Sequence, residues 1–385
     1  MACSKTIIYV GGFELPDKNA AAHRVLNNGK IMLELGYRVI FCGVDRDAKD
    51  AVRAPLKLGE FEHWPTAYPK SKGQWIRYLL DFQHIRRVFD AYDDVGIAIA
   101  YNMHAVPLAL LRKYCKKRQI KLIADITEWY ENRFSLRPVE LIKWADTELV
   151  MRFLHKKADG IIAISTYLRD YYQKSVPNTV LIPPLVDIAE KKWHQESATD
   201  HEGVVFVYSG SPGSNKDKLG LVIGCMAELS TEIPFAFRIF GLTREAFLRI
   251  WPDLEGALNS LGEKVQFYGM VSHGESVKAL LSGDYCIFLR DHSRKNKAGF
   301  STKFVECVTC GVGLITNDIA DVREWFPNDG RSQLLSEVSH EALCRTLQNV
   351  LAADTGKERS INTTFDYRSY KEAVANLFST LENKK

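Results

Sequence analysis

Short, nearly continuous apolar runs recur along the chain, separated by stretches in which apolar positions return every three or four residues. Runs of the first kind suit strands buried on both faces, and the second kind suits amphipathic helices. The pattern predicts a strand over Thr6–Val10, a Gly11-Gly12 turn with a polar loop, a helix over Ala20–Leu35 ending at Gly36, and a strand over 37–42. Further strands are predicted at Gly96–Tyr101, 121–126, Gly160–Ser165 and Val180–Ile182, with an amphipathic stretch over 107–117 and a helix over 167–173. The polar segment 187–203 reads as a linker. The pattern then restarts: strand 204–208, a Gly/Ser loop over 209–215 and a helix over 218–229. Strands follow at 235–240, 265–268, 285–289 and 313–316, with helices at 276–281 and 303–309. A final amphipathic helix covers 367–381.

This order predicts an α/β protein of two Rossmann-like doubly wound domains facing a central cleft. The expected organisation is a first domain over 1–190, a second over 191–365, and a segment 366–385 returning to the first. Open α/β sheets bind ligands at the carboxyl ends of their strands, so the chemistry should lie on strand-to-helix loops.

Composition narrows the function classes. The 385 residues are 46% hydrophobic and 25% charged, which excludes a disordered or fibrous chain. No apolar run reaches the roughly 18 residues of a membrane helix, and the start MACSKTIIYVGG does not read as a signal peptide. The expectation is a cytoplasmic protein with its cysteines as core thiols, the Cys307–Cys310 pair included. Residues 1–200 carry 30 Lys and Arg against 24 Asp and Glu, whereas residues 201–385 carry 21 against 23. A basic first half suits an anionic partner or is an ordinary solvated surface. The G-x-G-x-x-G fingerprint is absent, which disfavours a nicotinamide-linked oxidoreductase. No D-x-D, no HExxH and no His/Cys motif is seen in the sequence, so no metal or cofactor is expected.

The segment AGFSTKFVECVTCGVGLITND (298–318) resembles the signature of glycosyltransferase family 4, retaining enzymes of GT-B fold. Its S-T-K-F-V-E run is similar to a variant found in bacterial surface polysaccharide synthesis. Other segments resemble the family in the same order: VGGFELPDKNAAAHRVL, KLIADITEWYE, ADGIIAIS, VLIPPLVD, VYSGSPGSNKDKLGLVI, VQFYGMVSHGESVKALL and FDYRSYKEAVANLF. Two positions depart. The first Glu of the family's E-x7-E pattern falls at Ala298, and the first-domain His falls at Thr127.

The resemblance implies a nucleotide-diphosphate sugar as co-substrate, whose diphosphate gains charge as it leaves; preorganised cations there favour the reaction. Lys216, in a Gly/Ser loop with Gly210 and Gly213, is a candidate diphosphate clamp or a surface lysine. Ser209 lies at the same strand end. Ser301 and Thr302 open a helix whose free N–H groups suit phosphate, and Lys303 either touches the diphosphate or decorates that helix. Glu306 is implied to accept from the ribose hydroxyls. Tyr268 and Met270 flank the base or belong to the core. Arg290 opens the cationic run RDHSRKNK and is a candidate for the diphosphate or an acidic sugar. Gly11 and Gly12 bring backbone toward the donor phosphate or serve a tight turn. Asp125, Thr127 and Glu128 end a strand. Asp125 or Glu128 would orient or deprotonate the acceptor hydroxyl, or cap the next helix.

On the acceptor side, KSKGQWIRYLLDFQHIRRV (70–88) combines cations with aromatic and aliphatic residues, and RKYCKKRQIK (112–121) adds charge. Such stretches lie on anionic membrane surfaces or pack on their own core. The resulting expectation is transfer, with retention, to a glycan or lipid-linked glycan, with peripheral membrane association and no nucleic acid. The alternatives are a nucleotide-sugar epimerase and a non-catalytic nucleotide-sugar or glycan-binding subunit.

Overall fold

The computed structural model describes residues 5–130, 134–195, 201–210, 217–229, 234–353 and 359–383. The chain forms two compact units. The first comprises Met1–Val186, Ala298–Phe300 and Asp366–Lys385; the second comprises Asp187–Lys297 and Ser301–Phe365.

The first unit holds strands β1 (Thr6–Gly11), β2 (Arg38–Cys42), β3 (Val44–Asp45), β4 (Leu56–Leu58), β5 (Phe61–His63), β6 (Thr66–Ala67), β7 (Val95–Tyr101), β8 (Lys121–Ile126), β9 (Gly160–Ala163) and β10 (Thr179–Leu181). Eight of them form one sheet in the order β10-β9-β8-β7-β1-β2-β5-β4, and β3 pairs with β6. All ladders in the large sheet are parallel except β4 with β5. Ile7, Ile8, Tyr9, Ile99 and Ile123 are buried without exposure, as strands covered on both faces require.

Its helices follow from local signals. Helix α1 (Ala20–Glu34) starts at Asn19, whose side chain accepts from the Ala22 N–H. Helix α2 (Lys72–Leu80) opens on a reciprocal Ser71–Gln74 capping box. Helices α3 (Gln83–Asp90) and α4 (Ala105–Arg118) follow; α4 stops where Gln119 turns left-handed at φ 56°. Helix α5 (Pro138–Leu149) has proline in its first turn. The C-terminal helix Lys371–Asn383 contributes Val374, Leu377, Phe378 and Leu381 to the core beside β1 and α1.

The second unit is an all-parallel sheet of β11 (Val204–Ser209), β12 (Phe235–Phe240), β13 (Val265–Gly269), β14 (Tyr285–Ile287), β15 (Gly313–Asn317) and β16 (Gln333–Leu335). Its order is β13-β12-β11-β14-β15-β16. Within the segment read as a linker, residues Lys191–His194 form a 3-10 turn that buries Trp193.

Both sheets reverse strand order once. In the first the chain goes from β1 to β2 on one side and returns to β7 on the other. In the second it goes from β11 to β12 and returns to β14. At such a reversal the loops leaving two neighbouring strands diverge and open a crevice. Among the described residues no helix is long and apolar enough to cross a membrane.

Candidate functional site

The reversal in the second unit gathers charge. Asp217, 1% exposed, follows the loop after β11 and receives three groups. Arg290 Nε reaches its Oδ1 at 2.9 Å, Lys303 Nζ its Oδ2 at 3.0 Å, and the Tyr208 hydroxyl donates to Oδ2 at 2.7 Å. Burial alone would raise the Asp217 carboxyl, but Lys303 and Arg290 outweigh it and hold it well below the usual carboxylate range. Burial, reinforced by Asp217, keeps the Tyr208 phenol protonated. Two cations on one carboxylate leave the cluster with a net positive charge and fixed geometry.

The backbone around it is equally constrained. The Arg290 N–H donates to Asn317 Oδ1 at 2.8 Å, and Asn317 Nδ2 returns a bond to the Arg290 carbonyl at 3.0 Å. Gly210 has φ 145°, and a Cβ there would lie 2.6 Å from Lys303 Cε and Nζ. Only glycine lets the lysine stem cross this strand end. Ser209 Oγ shares a 2.6 Å bond with Ser276 Oγ. Ser301 caps helix Thr302–Cys310 by accepting from the Phe304 N–H, with Thr302 in first position. Glu306 accepts from His273 Nε2 at 3.1 Å, and His273 Nδ1 in turn faces Lys192 Nζ at 3.2 Å.

The structure thus brings together Gly210, Arg290, Lys303 and the amino end of the Glu306 helix. Lys216 and Gly213 lie outside the described residues. Asp217, the centre of the cluster, was missed by sequence reasoning; its signal was an acid between Lys216 and Lys218 in a loop otherwise read for cations. Tyr268 stacks on Phe240 at 4.4 Å and 6° and is half exposed, whereas Met270 is 81% exposed, so neither belongs to the core. Ala298 is fully buried.

The first unit gives a different picture. Asp125 is fully buried, and Arg24 grips it through Nε at 2.9 Å and Nη2 at 2.7 Å. The Tyr9 hydroxyl also donates to it. Arg24 Nη1 continues to the Ile182 carbonyl at 3.0 Å. Of the two candidates for the acceptor base, Asp125 is thus fully buried and ties α1 to β8, which leaves Glu128. Thr127 accepts from Asn102 Nδ2 at 2.8 Å, and Glu128 sits half-buried next to it.

A cavity opens at the β1/β7 reversal. It is lined by Gly11, Gly12, Gly43, Thr66, Tyr78, Asp81, His84, Asn102 and His104, with apolar residues between them. Gly11 is dictated by packing, since its Cβ would sit 2.1 Å from the Tyr101 carbonyl oxygen. Gly12 faces Tyr78, whose hydroxyl would lie 3.9 Å from a Cβ there. Among the described residues no lysine or arginine lines this cavity. Asn102 holds a left-handed turn at φ 45°, and His104 follows it. His104 Nδ1 meets Asp146 Oδ2 at 2.9 Å, while Asp146 Oδ1 accepts from the Ala105 N–H at 2.7 Å. Sequence reasoning passed over His84, His104 and Asp146 because their partners are far apart in the chain.

Folding also produces a His/Cys cluster that spacing does not reveal: Cys225, His340 and Cys344 place their ligand atoms within 4.8 Å of one another. The seven described cysteines are free, and Cys307 and Cys310 are buried, with burial pushing Cys310 up to about 12.

Comparison with known proteins bears on this geometry. The profile of Glycosyltransferase Family 4 matches residues 21–190. No curated protein sequence matches the chain. Among solved structures, sucrose-phosphate synthase from Thermosynechococcus elongatus superposes with TM-score 0.71 at 13% identity, covering 99% of this chain and 100% of that one. Anabaena HepE, solved in complex with UDP and glucose, gives TM-score 0.67 at 12% identity over 98% and 100%. An E. coli trehalose-6-phosphate protein bound with UDP-2-fluoro glucose gives 0.64 at 10% over 99% and 96%. At these identities the structures establish the fold alone. The chain has the GT-B fold of these structures, and its residues 21–190 match the model of Glycosyltransferase Family 4.

Proposed function

We propose that the chain moves a sugar from a nucleoside-diphosphate sugar to a hydroxyl of a glycan or lipid-linked glycan, with retention, at the inner face of a membrane during surface polysaccharide synthesis. The observation that carries the donor half is the Arg290–Asp217–Lys303 cluster. It is a preorganised positive site at the strand reversal, beside the amino end of helix Thr302–Cys310 with its positive dipole. Asp217 holds both cations in place, so little reorganisation is needed as negative charge grows on the leaving diphosphate. Glu306 supplies a carboxylate one turn into the same helix for ribose hydroxyls. Retention follows the family resemblance, with the departing phosphate assisting deprotonation of the acceptor.

The lipid-linked acceptor is supported by the surface of the first unit. Trp75, Ile76 and Leu80 of α2, Val106 and Leu110 of α4, and Val139 and Ile142 of α5 are all exposed. Helix α4 contacts both α2 and α5. The same segments of the sequence carry Lys70, Lys72, Arg77, Arg112 and Lys113. Exposed apolar side chains on helices that also carry cations fit an anionic bilayer surface.

The donor reading is tested by thermal-shift titration with nucleoside diphosphates, followed by incubation with the matching sugar donors. Stabilisation by one nucleotide and release of that nucleoside diphosphate are expected. Arg290→Ala and Lys303→Ala should each weaken nucleotide binding about tenfold or more, the scale of a lost charge-assisted hydrogen bond. Unchanged affinity in both variants removes the donor site. Binding without release makes the chain a binding subunit and overturns the transfer.

A further inference from the structure

Away from both strand reversals, the second unit gathers a cluster of soft ligands. Helix Leu219–Glu228 carries Cys225, and helix His340–Ala352 carries His340 and Cys344. His340 and Cys344 are four residues apart, so they stand one above the other on a single helix face. The two helices pack against each other, and the Cys225 thiol donates to the His340 carbonyl at 3.4 Å. The ligand atoms of all three side chains lie within 4.8 Å of one another, and Cys344 Sγ is 3.7 Å from His340 Nδ1. Around a tetrahedral zinc ion, with bonds of about 2.3 Å to sulfur and about 2.0 Å to nitrogen, a sulfur and a nitrogen ligand stand about 3.5 Å apart. The pair is therefore already close to coordination spacing. Cys225 and His340 are 115 positions apart, which is why no metal motif shows in the sequence.

The surroundings fit a cation. Glu228 Oε1 lies 3.3 Å from His340 Nε2. A carboxylate on that nitrogen keeps the proton there, so Nδ1 turns its lone pair toward the thiols. Metal-bound histidines are held in this way, ligating through one nitrogen and donating to a carboxylate through the other. A thiol is a weak donor and a weak acceptor, so hydrogen bonding alone gains little from gathering these groups. Cys225 is fully buried, whereas His340 and Cys344 are partly exposed and give an ion its way in. Thiolate and imidazole ligands favour zinc-class cations over magnesium or calcium. On coordination both thiols release their protons to solvent, and the two thiolates balance the charge of the divalent ion. We propose that Cys225, His340 and Cys344 bind a divalent cation of the zinc class, which fastens helix Leu219–Glu228 to helix His340–Ala352, with Glu228 positioning the His340 ring. Water takes the fourth tetrahedral position. The inference goes beyond the transferase reading and does not depend on it. Cys225 lies about 9 Å along its helix from the end next to Asp217, which gives the ion a bracing role.

The test uses the full chain, reduced and freed of metal by a chelator, with Co2+ and Zn2+ as probes. Co2+ should bind with the near-ultraviolet charge-transfer band of cobalt–thiolate bonds and the visible bands of four-coordinate cobalt, and Zn2+ should displace it. Zn2+ should raise Tm, slow hydrogen exchange in both helices, and slow alkylation of Cys344 read on its peptide by mass spectrometry. Cys344→Ser and His340→Gln, both at partly exposed side chains, should keep the Tm of the metal-free wild type and lose the cobalt bands at equimolar metal. Glu228→Gln should retain the bands and weaken Zn2+ about tenfold, the effect of removing a group that orients a ligand. A structural role for Glu228 alone would move Tm without moving the affinity. The inference is overturned if the charge-transfer band does not appear, or if Cys344→Ser and His340→Gln keep it, which would place the metal on other cysteines. It is equally overturned if Zn2+ binds but leaves Tm and exchange in the two helices unchanged.

Discussion

Asp217 couples binding and stability in one side chain. Its carboxyl is held below the ordinary value near 3.9 in the folded chain, by Lys303 and Arg290 against the effect of burial. A depressed carboxylate contributes stability above its unfolded pKa and loses it as pH falls through the folded one. The second unit should therefore lose Tm steeply as pH drops below about 4. Asp217→Asn should flatten that limb while costing about 3–5 kcal/mol at neutral pH, because two buried cations lose their partner. Wild-type slope retained below pH 4 in Asp217→Asn would show that the limb belongs to other groups. His155 makes a separable contribution. Burial lowers it to about 3, so it is neutral when folded, and its stability contribution is present above about 6.5 and declines as pH falls toward 3. At this scale the sequence showed residue types but not pairings. Arg290, Lys303 and Glu306 were legible because their loops follow strands. Asp217 was passed over and the burial of Asp125 was not foreseen, because a carboxylate's partner depends on which cation folding delivers, and Arg24 lies 101 positions from Asp125 in the chain.

Elements were legible where burial is two-sided. The strands at Lys121–Ile126 and Phe235–Phe240 were read to the residue, and β1 and β7 within one position, since continuous apolar runs leave little choice. Helices α3 and α5 and the short strands β3 to β6 were not read. Helix α5 exposes Val139 and Ile142 at 63% and 57%, so its apolar positions do not trace a core-facing stripe. That failure is informative: apolar residues placed outward ask for a partner other than the core. Liposomes with about 30% anionic lipid should retain the protein in a flotation assay, and retention should fall as salt rises. Ile142→Glu combined with Ile76→Glu should abolish retention without lowering Tm, because both side chains are exposed. Equal retention of this double variant, or equal binding to neutral vesicles at all salt concentrations, would mean that this face does not dock on anionic lipid.

At the scale of the whole chain, each unit repeats one solution: a parallel sheet, one reversal of strand order, and chemistry on the loops that diverge there. The chemistry differs between units. The second places cations at its reversal, whereas the cavity at the reversal of the first is lined by the Asp81 carboxylate, histidines and apolar side chains. The C-terminal helix belongs to this division, because Val374, Leu377 and Phe378 are buried in the first unit's core although the preceding residues to Phe365 belong to the second. Phe378, 2% exposed, meets Tyr37 edge-on at 5.2 Å. Phe378→Ala should destabilise the first unit by about 3–5 kcal/mol, the cost of emptying an aromatic site in a packed core. Hydrogen exchange would then accelerate in β1, β2 and α1, while protection in β11, β14 and β15 and affinity for nucleoside diphosphate stay at wild-type values. Equal acceleration in both units would mean that they unfold as one cooperative body, and that the separation of roles between them does not extend to stability.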